Sequence, residues 1–448
     1  MNFNIPTKVQ FIIDTFYNNG FEAFLVGGCI RDYLLNKTPK DYDIATSATP
    51  DQTISLFEKT IPTGLQHGTV TVVIENENFE VTTYRTESEY IDNRHPEKVE
   101  FVKNIKEDLS RRDFTINAFA YNHKKGLLDF FEGKSDLKNK IIRAVGNSDI
   151  RFNEDALRML RAIRFSSQLD FDIDKDTLSN IEKNNLLINN ISFERIRDEI
   201  SKILLSNNPR KGLLLLKNTG LLTNIIPEFK DTFGFDQKNP HHFEDVFEHS
   251  LSVLEKTPSI LTIRLAALFH DIGKPSCFNL DEKGIGHFYG HNIKSEEMSR
   301  KILNRLRFDN KTIKETLKLI REHMNVLDNP NNSNIKRLIT RVGLDSIENL
   351  YSLQEADILS LKYPSLATHK IVKMREVTNN ILIAKEPLSL KDLAITGNDL
   401  INELGLNKGK IIGDVLKNLF NIILDYPDLN NKTDLLKEAK KIVESYQN

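Results

Sequence analysis

Two spacings of hydrophobic residues divide the chain. Before about residue 150, apolar and β-branched residues alternate in short runs, as in EAFLVGG at 22–28 and GTVTVVIENENFEVTTYR at 68–85. Alternation with a period of two is typical of strands, and the second run predicts a hairpin around Asn76. Beyond residue 150 the pattern is almost wholly helical. The expected fold class is therefore α+β, with a small mixed α/β head followed by an all-α body.

Helices are also predicted for CIRDYLL at 29–35, DLSRRDFTINAFAYN at 108–122 and RFNEDALRMLRAIRF at 151–165. In the last of these, residues three or four apart would share a face of one helix. One face is apolar and suits a core. The other face presents an acid and then a row of basic residues, namely Asp155, Arg158, Arg161 and Arg164. A core accounts for the first face only, so the second needs another explanation.

Composition narrows the class of protein. A chain of 448 residues is too long to fold around a single hydrophobic core, so several domains are expected. Its content of 39% hydrophobic and 28% charged residues is ordinary for a soluble globular protein. No apolar run approaches the ~18 residues that cross a bilayer, and no secretory signal opens the chain, so a cytoplasmic protein without membrane contact is expected. Two cysteines exclude a disulfide framework. The net charge of −2 counts mildly against a nucleic-acid binder, although basic clusters such as RRDF occur.

An Asp-x-Asp pair lies in the head. Asp41 and Asp43 are predicted in a strand, where alternate side chains point to the same face. Two adjacent carboxylates repel each other unless a cation lies between them, and oxygen ligands suit Mg²⁺ with a bound triphosphate. Two-metal phosphoryl transfer usually needs a third acid, for which Glu80 on a neighbouring strand is the candidate. An isolated pair of this kind is more often a turn or an exposed strand.

A strand, a glycine pair and a helix start come just before these acids. Gly27 and Gly28 are followed by Arg31 and Asp32. This order suits a phosphate cradle, because glycine permits close backbone approach while free amides and Arg31 supply positive potential. A tight turn that requires glycine would explain the glycines without a phosphate. The closeness of the cradle to the acid pair favours nucleotide binding by Gly28 and Arg31.

Together these motifs resemble the class II tRNA nucleotidyltransferase family, the bacterial CCA-adding enzymes. LVGGCIRDYLLNKTPKDYDIATSATP at 25–50 is similar to that family's first motif, and EDLSRRDFTINAFAY at 107–121 resembles its second. The resemblance covers about residues 20–205 and continues more weakly to the C-terminus. It implies a polymerase-β-like nucleotidyltransferase head that uses Mg²⁺. The implied reaction adds C, C and A from CTP and ATP to the 3′ end of tRNA without a nucleic-acid template and releases pyrophosphate.

The resemblance also gives the polar face a role, since the family's protein template is written Glu-Asp-x-x-Arg, here Glu154, Asp155 and Arg158. Cytosine and adenine present an amino donor beside a ring-nitrogen acceptor, whereas uracil and guanine present a carbonyl beside a ring N–H. An Asp accepts from the amino group and an Arg donates to the ring nitrogen, so a mismatch leaves buried polar groups unpaired. The alternative is a simple surface ion pair between Asp155 and Arg158. Three further arginines would contact the nucleotide, lie near its phosphates or brace the template: Arg112, Arg161 and Arg164.

A polar, charged segment at 84–104 is predicted to be a mobile loop. In the family, a loop of this kind helps the pocket switch from CTP to ATP, and its full length here favours addition of A. The family usually has Arg-Arg-Pro where this chain has Arg94, His95 and Pro96, and histidine is largely neutral at pH 7. Enzymes that add only A also keep a loop, so both activities stay open.

A second set of candidate ligands lies in the helical body. It comprises an adjacent His-Asp pair, further histidines and a distant Asp, namely His249, His270, Asp271, His291, His323 and Asp357. Such nitrogen and oxygen ligands suit a divalent transition metal, and a metal-bound water can attack a phosphate ester. The order and spacing resemble the HD phosphohydrolase superfamily. His287 lies close in the sequence but is not assigned.

Four regions are predicted, namely a nucleotidyltransferase head at 1–147, a helical neck and body with the selecting helix at 148–235, an HD domain at 236–365 and a helical tRNA-binding tail at 366–448. The expected function is CCA addition, with the 3′ end and acceptor arm of tRNA, CTP and ATP as partners. An A-adding enzyme or a poly(A) polymerase is the nearest alternative. An HD phosphohydrolase with an inactive RNA-binding head is the alternative of another class.

Overall fold

The computed structural model describes residues 3–87, 99–240, 243–363 and 368–447. The chain forms two compact units, Met1–Pro227 and Glu228–Asn448. In the described residues, helices are all too short or too polar to cross a membrane.

A seven-stranded mixed sheet forms the centre of the first unit. Its strands are β1 (Ala23–Val26), β2 (Asp43–Thr46), β3 (Thr60–Gly64), β4 (Thr69–Ile74), β5 (Glu77–Thr83), β8 (Phe119–Asn122) and β9 (Gly126–Asp129). They lie in the order β3-β4-β5-β2-β1-β8-β9, in which β2 and β5 are parallel and the other neighbours are antiparallel. Two short ribbons accompany the sheet: β6 (Arg85–Glu87) with β7 (Val99–Phe101), and β10 (Ile141–Ile142) with β11 (Asp172–Ile173).

The strands form where hydrophobic alternation predicts them. β1 is buried along its whole length because it lies in the interior of the sheet. β4 and β5 form the predicted hairpin, and both Glu75 and Asn76 have positive φ angles (46° and 64°) at its turn. Positive φ at both central residues matches the right-handed twist of the two strands.

The helices of the first unit surround this sheet and then continue beyond it. They are α1 (Thr7–Asn18), α2 (Gly28–Leu34), α3 (Pro50–Leu56), α4 (Ile105–Ser110), α5 (Gly133–Asn139), α6 (Ser148–Glu154), α7 (Leu157–Leu169), α8 (Lys175–Asn184), α9 (Phe193–Leu204), α10 (Pro209–Asn218) and α11 (Leu221–Ile225). α7 packs against α9 and α10 and carries the apolar stripe seen in the sequence.

Two predicted helices differ from the structure. The segment 108–122 is not one helix, because α4 ends at Ser110 and β8 occupies the end of the segment. The Asp113 carboxylate accepts the backbone N–H of Phe114, a local bond that competes with helix formation. The segment 151–165 is also interrupted, since Asp155 is extended (φ −140°, ψ 102°) between α6 and α7. Its side chain accepts the N–H of Leu157, the first residue of α7.

The second unit is built almost entirely of helices. They are α12 (Val246–Lys256), α13 (Leu261–Phe269), α14 (His291–Arg305), α15 (Asn310–Glu322), α16 (Asn332–Val342), α17 (Leu344–Ile358), α18 (Thr368–Ile383), α19 (Gly397–Leu404), α20 (Lys410–Asp425) and α21 (Lys432–Gln447). A two-stranded ribbon, β12 (Asn279–Leu280) with β13 (Gly286–His287), interrupts them. The predicted fold class, a mixed α/β head followed by helical regions, is confirmed.

Ion pairs attach α16 to the last part of the chain. Lys336 is fully buried, and its Nζ lies 2.8 Å from a carboxylate oxygen of Glu386. Arg337 donates two hydrogen bonds to Asp425, at 2.8 and 2.7 Å. A buried lysine is tolerated only with such a partner, so these contacts fix α16 against the final helices.

Candidate active site and candidate metal centre

The three predicted acids of the head come together at the parallel strand pair. Asp43 opens β2 and is the direct register partner of Glu80 on β5. Register partners on adjacent strands point to the same face of a sheet. Asp41 lies two residues before β2 rather than within a strand. Burial raises the pKa of Asp43, Arg112 opposes this rise, and Asp41 adds to it. A carboxyl whose pKa is raised by burial and further by an acidic neighbour is suited to a cation that lies between the two acids.

The glycine pair allows an arginine to approach the acids. Gly27 follows β1 with φ 78°, and a Cβ there would lie 2.7 Å from Nη1 of Arg112. Both facts favour glycine, since a side chain would be strained and would displace the guanidinium group. Gly28 begins α2, and Arg31 lies in the last turn of this short helix. The structure therefore places Arg112 against the Gly27 turn and close enough to Asp43 to lower the pKa of that carboxyl.

Each arginine around this cradle is held by a partner. Arg31 donates to Asp32 at 2.8 Å and to the side-chain oxygen of Asn117 at 2.8 Å. Arg161 donates twice to Oδ2 of Asp113, at 2.8 and 2.5 Å. Burial alone would raise the pKa of the Asp113 carboxyl, but Arg161 and Asn117 outweigh it and lower that pKa to about 2. The guanidinium groups are thus fixed before any ligand arrives.

The last arginine of the row is the most enclosed. Arg164 forms a buried ion pair with Glu199 of α9, at 3.2 Å. Burial lowers the pKa of Arg164 to about 10, although Glu199 acts in the opposite direction. The residue stays charged at neutral pH and braces α7 against α9.

The two predicted base-selecting residues do not pair with each other. Asp155 receives both Nη atoms of Arg195, at 3.2 and 2.8 Å. Arg158 donates to Glu154 at 2.8 Å and to the main-chain oxygen of Arg111 at 3.0 Å. The simple surface ion pair between Asp155 and Arg158 is therefore not formed. Each side chain is oriented from behind by another residue, while a carboxylate keeps further lone pairs for a ligand.

Several supporting residues of the head were missed in the sequence. They are Asn117, Asp113, Glu199 and Arg195, each of which holds an arginine or an acid named above. Asp113 could have been found, because it follows Arg112 in the second motif. Arg195 lies 40 residues from Asp155, and Glu199 lies 35 residues from Arg164, so no local pattern in the sequence indicates either pairing. The predicted loop lies mostly outside the described residues, including Arg94, His95 and Pro96.

All six predicted ligands of the second unit meet around Asp271. Its two carboxylate oxygens lie 3.1 Å from Nε2 of His270 and 3.2 Å from Nε2 of His291. The remaining members complete the group, with Nε2 of His249 at 3.0 Å from Asp357 and Nε2 of His323 at 3.3 Å from Nε2 of His291. Two overlapping triads in this group could each hold an ion: His249, His270 and Asp271, and Asp271, His291 and His323.

Three of these histidines are oriented in the same manner. The Nδ1 atoms of His270, His291 and His323 lie 2.8, 2.8 and 2.6 Å from the carbonyl oxygens of Ala267, Phe288 and Ile320. Each Nδ1 therefore carries the proton, and each Nε2 turns its lone pair towards the centre of the group. Metal-binding histidines use this arrangement almost without exception.

The protonation states also suit metal ligands. Burial and the neighbouring His270 lower the pKa of His323 to about 3, so this ring is neutral at pH 7. Burial would raise the pKa of Asp271, yet His270 and Lys274 hold it well below its ordinary value. In the described part of the chain, Nε2 of His270 and Oδ1 of Asp271 are buried without a well-aligned hydrogen bond. The neutral His323 ring, the ionised Asp271 carboxylate and the uncommitted atoms of the group form a fitting donor set for a divalent metal.

A cavity of about 400 Å³ opens onto this centre. It is lined by Asp271, His291, His323 and Asp357 together with Phe288 and Tyr289. Lys274 lies 2.7 Å from Asp271 and was also missed in the sequence, although it stands three residues after that acid. His287 pairs instead with Asp281, at 3.0 Å, in the β12–β13 ribbon.

Three protein-family models match successive parts of the chain. Residues 23–143 match the poly A polymerase head domain, residues 170–233 match an RNA and SrmB-binding site of polymerase A, and residues 288–439 match tRNA nucleotidyltransferase domain 2. The chain is 37% identical to the CCA-adding enzyme of Ligilactobacillus salivarius, with 98% of each chain covered. It is 33% identical to the CCA-adding enzyme of Staphylococcus epidermidis, again with 98% of each covered.

A solved structure shows the same architecture. The crystal structure of the Bacillus stearothermophilus CCA-adding enzyme in complex with CTP is 28% identical in sequence, with a TM-score of 0.73 and 98% of each chain covered. Identity above 30% extends over 98% of this chain and 98% of each of these two curated relatives. The chain belongs to the family of CCA-adding enzymes.

Proposed function

We propose that this protein adds C, C and A to the 3′ end of tRNA, using CTP and ATP and releasing pyrophosphate. The observation that carries the proposal is the meeting of Asp41, Asp43 and Glu80 beside a set of fixed arginines. Family membership supports it, because full-length relatives are CCA-adding enzymes. The fold of the first unit supports the same reaction, since Asp43 and Glu80 lie on paired strands of one sheet and Asp41 lies just before β2, an arrangement that can align two reacting groups.

Asp41 and Asp43 would hold Mg²⁺, with Glu80 as a third acid. When bound, the ion would supply Lewis-acid activation of the terminal 3′-hydroxyl and neutralise charge on the leaving pyrophosphate. Gly28, Arg31 and Arg112 would bind the triphosphate, because glycine permits close backbone approach and the two arginines, which lie against the glycine pair, carry positive charge. Arg161, held by Asp113, would lie near the phosphates, and the buried Arg164 would brace the helix through Glu199.

Asp155 and Arg158 would read the base. Asp155 accepts from the amino group of C or A, and Arg158 donates to the ring nitrogen. Their present partners, Arg195 and Glu154, fix both side chains in direction. Selection then follows from geometry, since U or G would leave an acceptor facing an acceptor.

The test is an extension assay with purified protein, Mg²⁺ and two tRNA transcripts, one lacking CCA and one ending in CC. Each transcript receives CTP, ATP, UTP or GTP alone, and then CTP with ATP. We expect two C additions followed by one A, with no incorporation of U or G. Addition of A alone, confined to the CC-ended transcript, would establish an A-adding enzyme instead, and long A tails would establish a poly(A) polymerase.

The second unit favours a further activity. The convergence of six predicted ligands around Asp271, with three Nε2 atoms turned inwards, supports a divalent transition-metal centre. We propose that this centre hydrolyses phosphate esters. A metal bound there would supply an activated water, while Lys274 would balance the charge on Asp271.

Hydrolysis is tested with p-nitrophenyl phosphate in the presence of Mn²⁺, Co²⁺ or Ni²⁺. Metal-dependent release of nitrophenol is expected from the unaltered protein and should be lost in Asp271→Asn. Nucleotide addition by that variant should be unchanged. Metal binding without hydrolysis would show a purely structural centre.

A further inference from the structure

One aromatic ring contacts three arginines of the proposed nucleotide site. The guanidinium carbons of Arg31, Arg161 and Arg164 lie 5.2, 5.6 and 4.2 Å from the ring centroid of Phe165. All three distances fall within the about 6 Å over which a cation is attracted to an aromatic face. Arg31 comes from α2 of the head, whereas Phe165 lies on α7. The ring therefore connects the phosphate cradle to the helix that follows Asp155.

The ring itself is firmly held. Phe165 is only 7% exposed. The fully buried Phe114 meets it edge to face, with centroids 5.8 Å apart and planes at 80°. Phe114 directly follows Asp113, which is the acid that binds Arg161. A single short segment thus fixes both the ring and one of its cations.

Two contacts restrain each guanidinium group better than one. Arg31 and Arg161 each have an acid on one side and Phe165 on the other. Like charges gathered in one place repel each other, and the negative face of the ring lowers the cost of holding them together. A leucine would fill much of the same space without that electrostatic attraction. Cations held in place beforehand lose less entropy when they bind phosphate oxygens.

We propose that Phe165 is a positioning residue that holds Arg31 and Arg161 in the orientation that binds the triphosphate of either nucleotide. The inference rests on the proposed assignment of these arginines to the phosphates. Asp155 is oriented by Arg195, and Arg158 is oriented by Glu154. Neither of these bonds involves Phe165. Its effect should therefore be equal for CTP and ATP.

The decisive variant is Phe165→Leu, assayed for KM and kcat with CTP and with ATP. Loss of the cation–π contacts to Arg31 and Arg161 should raise both KM values by the same factor, about fivefold to tenfold. The kcat value should fall less than KM rises. Inhibition by inorganic tripolyphosphate, which lacks a base, should weaken by the same factor. Phe165→Tyr keeps the ring and should restore most of the affinity.

Phe16→Leu is the matched control. Phe16 is also a buried phenylalanine with an edge-to-face partner, Phe57 at 5.3 Å, and it lies on α1. Its replacement should lower the melting temperature without raising KM. Unchanged KM values in Phe165→Leu, or a shift that differs between CTP and ATP, would overturn the inference.

Arg31→Ala separates this inference from the assignment beneath it. If Arg31→Ala leaves KM and tripolyphosphate inhibition unaltered, the phosphate assignment itself is wrong. If Arg31→Ala weakens binding while Phe165→Leu behaves as the unaltered protein, only the role of Phe165 is wrong. Parallel weakening in both variants supports the two together.

Discussion

The acids of the head and the ligands around Asp271 differ in how their charges are compensated. In the head, Asp41 and Glu80 are exposed, and the arginines behind them are paired with acids such as Asp113. Around Asp271 the side chains are enclosed, and buried atoms of His270 and Asp271 lack a well-aligned hydrogen bond in the described residues. The head should therefore fold without its cation and need it for chemistry. The second centre should depend on its metal for stability as well.

The largest expected effect is a loss of nucleotide addition by the head that leaves the second centre unchanged. Asp41→Ala should lower kcat/KM for nucleotide addition by about 10³-fold, since a bound metal contributes several kcal/mol to transition-state stabilisation. Hydrolysis of p-nitrophenyl phosphate and the melting temperature should not change, because Asp41 is exposed. The extension assay measures nucleotide addition. The control variant is Asp51→Ala, because Asp51 is another exposed acid of the same unit. Full activity in Asp41→Ala would remove this residue from the site.

Removal of metal tests the other side of the comparison. A metal present at about 100 times its Kd stabilises the folded state by about 3 kcal/mol, so a chelator should lower the melting temperature. Asp271→Asn should show no response to Mn²⁺ or chelator in thermal scans. His287→Ala should respond as the unaltered protein does, because His287 pairs with Asp281 outside the cluster. A melting temperature indifferent to metal would contradict a stabilising ion.

Acid titration tests whether acids such as Asp113 compensate the charges of the arginines in the head. The pKa of Asp113 is lowered from 3.8 to about 2 by Arg161 and Asn117 against the opposing effect of burial. A carboxyl whose pKa is lower in the folded state stabilises that state above pH 4 and loses this contribution as the pH falls towards 2. Asp113→Asn should therefore cost about 2 kcal/mol of unfolding free energy at pH 7. Urea unfolding at several pH values should show the difference from the unaltered protein shrinking below pH 4, and a constant difference would argue against this ion pair.

The smallest expected effect concerns selection of the base. Arg195→Met removes the group that orients Asp155, so discrimination of ATP and CTP against UTP and GTP should fall by about tenfold. Single-nucleotide extension assays measure this ratio. Arg197→Met, two residues along α9 and paired with Asp198, is the control and should keep full discrimination. Equal selectivity in both variants would mean that Asp155 needs no support from Arg195.

Local patterns predicted most strands and the placement of Asp43 and Glu80 on neighbouring strands, because alternation and short-range spacing are properties of the sequence itself. They failed where a side chain competes with the backbone, as at Asp113 and Asp155. They also missed partners that only folding brings near, such as Arg195, which lies 40 residues from Asp155. The convergence of His249 with Asp357, across 108 residues, was accessible only through resemblance to a known motif order.

The break between α6 and α7 separates Asp155 from the helix that carries Arg158, and this matters for the base recognition proposed for the two residues. Had residues 151–165 been continuous, the acid and the arginine would turn together as one rigid array. The extended backbone at Asp155 gives the acid two torsion angles of its own, while Arg158 stays fixed to α7. If Asp155 and Arg158 read the base as proposed, the acceptor for the amino group and the donor to the ring nitrogen lie on separate backbone segments, so a pyrimidine and a larger purine need not be met by one rigid helical array.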